Sequence, residues 1–354
     1  MVALALGACG PRLRLAAPPP LFPAVTSWTT PLDRDDVIDG TLVSDGSRVF
    51  LCTRQSDSGR SAVRALDLAT GTLLWRVVGR SGSLGASSDR LLVRDTAGLV
   101  WSMDPATGSA RWKSATGVEG RVPPVFAGDR LLILGRGLSA LDAASGKVLW
   151  AVTDVTSEVP PALIADRIYV AAQGGVLRCH SLRDGRLVWA RKTSFSSLGA
   201  PLATNDRLYL AVGERAFASF DTRNGDLRWR WKIGAQARFE PAVLGGNVLF
   251  VTLEGVLYGL NKNNGDLSFR ASLPSRPASG PLLLGSAVVV ASHGNRPREA
   301  LVLTLDGRSG RHLGDLKTVA ELATPPLLLG QTLILGLRDR NAVSALRLGA
   351  SDEP

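Results

Sequence analysis

Ala140-Leu141-Asp142-Ala143-Ala144-Ser145-Gly146-Lys147-Val148-Leu149-Trp150 places a small residue, an acid two positions on, a glycine four further and a tryptophan four beyond that. An Asp at a strand end can accept bonds from backbone N–H groups just past it, and glycine takes the positive φ that closes a short hairpin. The stretch therefore reads as a tight turn between two strands, with the tryptophan on one face of the second. The same spacing recurs at Ala65, Asp67, Gly71 and Trp75, at Ser102, Asp104, Gly108 and Trp112, and at Cys179, Ser181, Gly185 and Trp189. It recurs again at Ser219, Asp221, Gly225 and Trp229 and at Gly259, Asn261, Gly265 and Phe269. Thr304, Asp306 and Gly310 make a seventh turn, with Gly314 in the aromatic position.

Successive turn glycines lie 37, 38, 39, 40, 40 and 45 residues apart, the length of one four-stranded propeller blade. Upstream of the turns a second block repeats, in Val122 to Leu134, Val159 to Val170, Gly199 to Leu210 and Phe239 to Val251. Each runs proline, apolar residues, a tight turn and an apolar strand, as the two inner strands of a blade would. Such blocks number eight, because Ala323 to Leu335 opens a further blade that reaches Ala345 without an aromatic after it. Trp28 has no turn in front of it, so residues around 27 to 31 are expected to supply the missing outer strand and close the ring. The expected fold is all-β, an eight-bladed propeller over residues 27–350. Trp28, Trp75, Trp112, Trp150, Trp189, Trp229 and Phe269 are its docking rings. The small residues in the first slot are expected to lie beneath a ring from the adjacent blade.

The net charge of +10 comes from 35 arginines and 6 lysines against 31 acids. These charges are spread among turns, and even Arg228-Trp229-Arg230-Trp231-Lys232 alternates as a strand with two rings on one face, so no nucleic-acid partner is expected. No apolar run is long enough to span a bilayer. Leu6-Gly7-Ala8-Cys9 resembles a bacterial lipobox, and Pro11, Pro18, Pro19, Pro20 and Pro23 follow it. Residues 1–8 read as a signal-peptide remnant and 9–26 as an extended tether. Cys9 is then a lipidation site on the periplasmic side of the outer membrane, and the lipid is the only membrane contact. Cys52 and Cys179 read as packing residues.

Catalytic patterns do not assemble. Gly135-Arg136-Gly137 lies in a hairpin and opens no helix, and Gly146-Lys147 lacks the glycine at 141 that a phosphate loop needs. His180, His293 and His312 have no ligand spacing, and Asp33, Asp35 and Asp36 read as a solvated loop, with no ligand loop for calcium beside them. No catalytic residue, cofactor site or metal site is assigned.

The Ala-x-Asp-x-x-x-Gly-x-x-x-Trp unit resembles the tryptophan-docking repeat of the pyrroloquinoline-quinone (PQQ) dehydrogenases and their non-enzymatic relatives, and most resembles the BamB family of outer-membrane assembly lipoproteins. The quinoprotein branch implies a PQQ-dependent enzyme with calcium, adjacent cysteines and a cap of long insertions. This chain has no adjacent cysteines, and its short repeats leave no room for such a cap. The assembly-factor branch implies a non-catalytic scaffold that binds a protein partner of the barrel-assembly machinery. A ligand-binding or sensor propeller is the remaining alternative. Ser194 to Pro201 resembles the assembly family's docking loop without its arginine, and Gln236 to Glu240 carries only one acid. Phe195 and Leu198 are the partner-binding residues this resemblance picks out.

Overall fold

The computed structural model describes residues 24–349 apart from 196, 197, 214, 295, 297 and 319. Every element among them is a β-strand. Eight antiparallel sheets follow one another along the chain as the blades of a propeller, numbered 1 to 8 here in chain order with the closing blade last. Blade 4 shows the pattern: Ala162–Ile164 is innermost, then Arg167–Ala172, Val176–Ser181 and the outer strand Leu187–Lys192. The second strand is buried along nearly its whole length and the outer strand is mostly exposed. A sheet covered on both faces by neighbours needs apolar residues in succession, and only its free edge can alternate. In blade 3 the second and third strands form one run, Arg130–Asp142, which bonds the inner strand through its first half and the outer strand through its second.

The repeated turn has the expected chemistry. Asp142 Oδ1 accepts from the Ser145 N–H at 2.7 Å, Gly146 N donates to Asp142 O at 2.9 Å, and Gly146 takes φ +72°. The placement of the rings differs from expectation. Each small first-slot residue except Thr304, which faces Gly314, faces the ring of its own blade across the strand pair, as Ala140 faces Trp150 and Ser102 faces Trp112. The surface that receives a ring from the neighbouring blade is the turn glycine. A Cβ built on Gly146 would fall 2.4 Å from the Trp112 ring, and one on Gly185 would fall 2.5 Å from Trp150. The ring has two sides, so each tryptophan demands a small residue beneath it in its own sheet and a bare backbone above it in the next. Its indole N–H then bonds a carbonyl of that next turn, as Trp75 does with Pro105 O at 2.9 Å and Trp189 with Thr222 O at 3.1 Å.

The ring closes through the N-terminal strand. Ala24–Pro31 pairs antiparallel with Ala342–Leu348, with Trp28 opposite Ala345. The strand starts at Ala24, inside the stretch read from sequence as tether. Trp28 behaves as any other docking ring: it lies on Gly71 of blade 1 and donates to Leu68 O at 2.9 Å. Cys9 and residues 1–23 lie outside the described residues.

Trp28→Ala should cost as much stability as Trp150→Ala, about 3–5 kcal/mol each by the usual range for truncating a large aromatic. Urea unfolding checks this, and a cost for Trp28→Ala well below that of Trp150→Ala would contradict the closure.

Acid should weaken the turns. Hydrogen bonds hold five turn carboxyls below their ordinary range: Asp67 through the Thr70 N–H, Asp104 through the Arg111 guanidinium, Asp142 through the Ser145 hydroxyl, Asp221 through the Arg223 guanidinium and Asp306 through the Ser309 hydroxyl. A carboxyl depressed on folding stabilises the protein above its unfolded pKa, about 4, and that contribution disappears as pH falls through the lower folded value. Melting curves of Asp142→Asn and the parent should therefore be separated at pH 7 and converge below about pH 4. A separation that does not change with pH would contradict this.

Candidate functional site

Loops joining each outer strand to the next inner strand gather with the second-to-third-strand hairpins on one face of the ring. Among the grooves that open there, two lie over blades 3 to 6. The larger, about 670 Å³, lies over blades 3 and 4 and is lined by Glu119, Arg121, Arg136, Glu158 and Gln173 among others. The smaller, about 340 Å³, lies over blades 4 to 6, where Val159, Leu198, Gln236 and Arg238 converge.

A buried cation shapes the larger groove. Arg94, at the end of the second strand of blade 2, is 1% exposed. Its guanidinium donates to Val122 O and Leu134 O, both at 2.6 Å, and to Val118 O at 2.8 Å. It thereby ties the blade 2–3 loop to blade 3. Burial pushes its pKa down to about 10, so it stays charged at neutral pH. The loop then presses on Gly135, where a Cβ would fall 2.0 Å from Glu119 O. Glu119 and Arg136 meet at 3.6 Å on the exposed lip, a contact worth little by itself. Nothing in the local sequence marks Arg94, which reads as one more strand-end charge.

The two docking residues expected from sequence separate. Phe195 is 9% exposed and packs into the core shared by blades 4 and 5, with the Arg230 guanidinium 4.9 Å above its ring. Its backbone is fastened too: its N–H donates to Thr193 Oγ1 at 3.2 Å, and its carbonyl lies 1.7 Å from where a Gly175 Cβ would stand. Leu198 is half-buried, packs from the outside against that same core, bridges to Val212 and forms a wall of the smaller groove.

Several other residues weighed from sequence are structurally engaged. Arg64 binds both Asp36 and Asp33, the latter at 2.6 Å, and Arg76 approaches Asp33 at 3.2 Å. His180 is buried with Nδ1 2.9 Å from Gly185 O, and burial lowers its pKa. Cys52 and Cys179 are free and buried, and burial pushes their thiols up to about 12 and about 11. Neither is an activated nucleophile.

Eight blades, seven of which lay a ring on the neighbouring turn, define a tryptophan-docking propeller with its loops gathered on one face. A family model described as "Outer membrane protein assembly factor BamB" matches residues 59–162 and 135–349, and the chain belongs to that family. It is 35% identical over 92 residues to the outer membrane protein assembly factor BamB of Xanthomonas campestris, a match covering 26% of this chain and 21% of that relative. The matched stretches span less than half of the two further assembly factors that it resembles. BamB from Moraxella catarrhalis superposes with a TM-score of 0.73 at 17% identity, over 94% of this chain and 99% of that one. A quinohemoprotein alcohol dehydrogenase from Comamonas testosteroni superposes with a TM-score of 0.71 at 12% identity, over 93% and 77%. At such identities both superpositions speak for the fold alone.

Arg94→Ala should leave three buried carbonyls without a donor and cost at least about 3 kcal/mol, since each unsatisfied group costs about 1–3. Arg94→Lys should cost less. Equal stability of Arg94→Ala and the parent in urea would contradict the bracing role.

Proposed function

We propose that the chain is a non-catalytic scaffold of the cell envelope that binds a protein of the outer-membrane barrel-assembly machinery. Membership of the assembly-factor family supports this, and the observation that carries it is the groove over blades 4 to 6. The segment resembling the family's docking loop forms a wall of that groove, beside the Gln236 to Arg238 loop. Leu198 is the apolar contact offered to the partner, with Arg238 exposed beside it, and Phe195 is the brace that holds the loop in place. A small apolar centre with a charged rim is the usual anatomy of a protein-binding patch. On this reading the scaffold sits on the periplasmic side of the outer membrane, held by a lipid on Cys9.

Leu198→Asp should lower the melting temperature by less than Phe195→Ser does and, in the folded protein, weaken capture of the barrel-assembly protein from envelope extracts at least about tenfold, the loss of about 1.4 kcal/mol. Phe195→Ser should instead lower stability first, by about 3 kcal/mol or more for an emptied aromatic site. Undiminished capture by Leu198→Asp would place the docking surface elsewhere.

A further inference from the structure

The residue that follows the small first-slot residue is apolar in six blades. Leu66, Met103, Leu141, Phe220, Leu260 and Leu305 are each at most 3% exposed, and each packs in one cluster with the docking ring of the preceding blade. In blade 4 the same position holds His180, 1% exposed. Its Nδ1–H donates to Gly185 O at 2.9 Å, and Gly185 is the seat of the Trp150 ring. Nε2 is buried and has no hydrogen-bond partner among the described residues. The core of this junction is apolar, with Leu138, Ala140, Ile168 and Val170 in it. The charged groups around the imidazole are engaged elsewhere. Arg178, two residues back on the same strand face, bonds Asp154 of blade 3 at 2.8 Å. The Arg130 guanidinium bonds Leu182 O and Arg183 O, and the hairpin's own Arg183, Asp184 and Arg186 are exposed.

A neutral imidazole meets these surroundings with its one donor used and one bare acceptor. Protonation adds a second N–H that has no acceptor, and it sets a charge in an apolar junction near the Arg178 guanidinium; both are costly in a buried site. Water reaches the new N–H only if the junction opens. We propose that the blade 3–4 junction is an acid-operated device, in which protonation of His180 unseats the Trp150 ring from Gly185 and loosens the loop face above. That face depends on the junction. The larger groove takes Arg136 and Thr153 from blade 3 and Gln173 from blade 4, and Val159 of the connecting loop lines the smaller one. On the partner reading given above, on which this consequence rests, acid therefore weakens docking. Folding lowers the proton affinity of the buried imidazole, so its contribution to stability is complete above the unfolded pKa, about 6.5, and is lost as pH falls through that value towards the lower folded one.

Urea unfolding of the full-length parent and of His180→Leu, which restores the residue used in four other blades, tests this. Below about pH 6.5 the folding equilibrium of the parent should fall relative to that of His180→Leu by up to about tenfold per pH unit, the slope of a single proton. Should His180→Leu fail to fold, His180→Gln keeps a polar side chain that does not titrate and takes its place. At about pH 5.5 the Trp150 and Gly185 amides should exchange faster in the parent than in the variant, while the blade 6 turn at Gly265 exchanges alike in both. Stability that follows pH in parallel in the two proteins would overturn the proposal, and so would a loss of protection spread evenly over all blades. Capture of the barrel-assembly protein should fall with acid more steeply for the parent than for His180→Leu, and an equal fall in both would overturn the link to docking. If neither protein captures that partner at any pH while the stability difference persists, the partner reading fails and the acid-operated junction stands.

Discussion

The contact on which the rest of the structure depends is a flat ring lying on a glycine of the next blade. It couples two requirements that a sequence usually meets separately. Gly146 must take φ +72° to close its own hairpin, and it must also expose bare backbone to Trp112 from the blade before. A side chain there would violate both at once. The indole N–H adds a bond to a turn carbonyl, 3.2 Å from Trp112 to Ala143 O, which fixes the angle between sheets as well as their spacing. Because each ring acts across a junction, neighbouring blades depend on one another, and the outer strand from the N-terminus makes the same ring and indole contacts as the internal ones.

With the framework fixed this way, the loop face is free to vary. Arg94 shows how the fold positions it: a charge buried among carbonyls holds the blade 2–3 loop against Gly135 and so shapes the lip of the larger groove. Phe195 does similar work one blade further on, under the Arg230 guanidinium, and leaves Leu198 to face the smaller groove. Recognition by preformed loops on a rigid ring requires little reordering, which favours binding by a few well-placed contacts.

Much of the fold was legible because the turn chemistry is local. Asp, Gly and Trp at fixed spacing specify a hairpin without reference to anything distant, and seven turns of that spacing, four of them with all three residues, specify the blade. The closing role of Trp28 followed from counting blades against rings. What was not legible depends on contacts between blades. Which small residue lies under which ring could not be read, because the first-slot residue and the turn glycine are both small and both near a ring. The start of the closing strand at Ala24 was hidden because Ala-Val-Thr follows prolines and resembles a linker. Phe195 and Leu198 look alike in a serine-rich loop, and only the packing of blade 5 turns one inward. Arg94 carried no signal, since its carbonyl partners come from residues 24 to 40 positions away.

A double-mutant cycle at the closure tests the ring-on-glycine account most directly. A Cβ on Gly71 would stand 2.4 Å from the Trp28 ring, so Gly71→Ala should be strongly destabilising in the parent chain and clearly less so in Trp28→Ala. The predicted coupling is at least about 1 kcal/mol in urea unfolding, within the range for residues in contact. The positive φ of Gly71, +73°, leaves a residual cost in both backgrounds. Strict additivity of the two substitutions would show that ring and glycine do not act on each other, and would contradict the account.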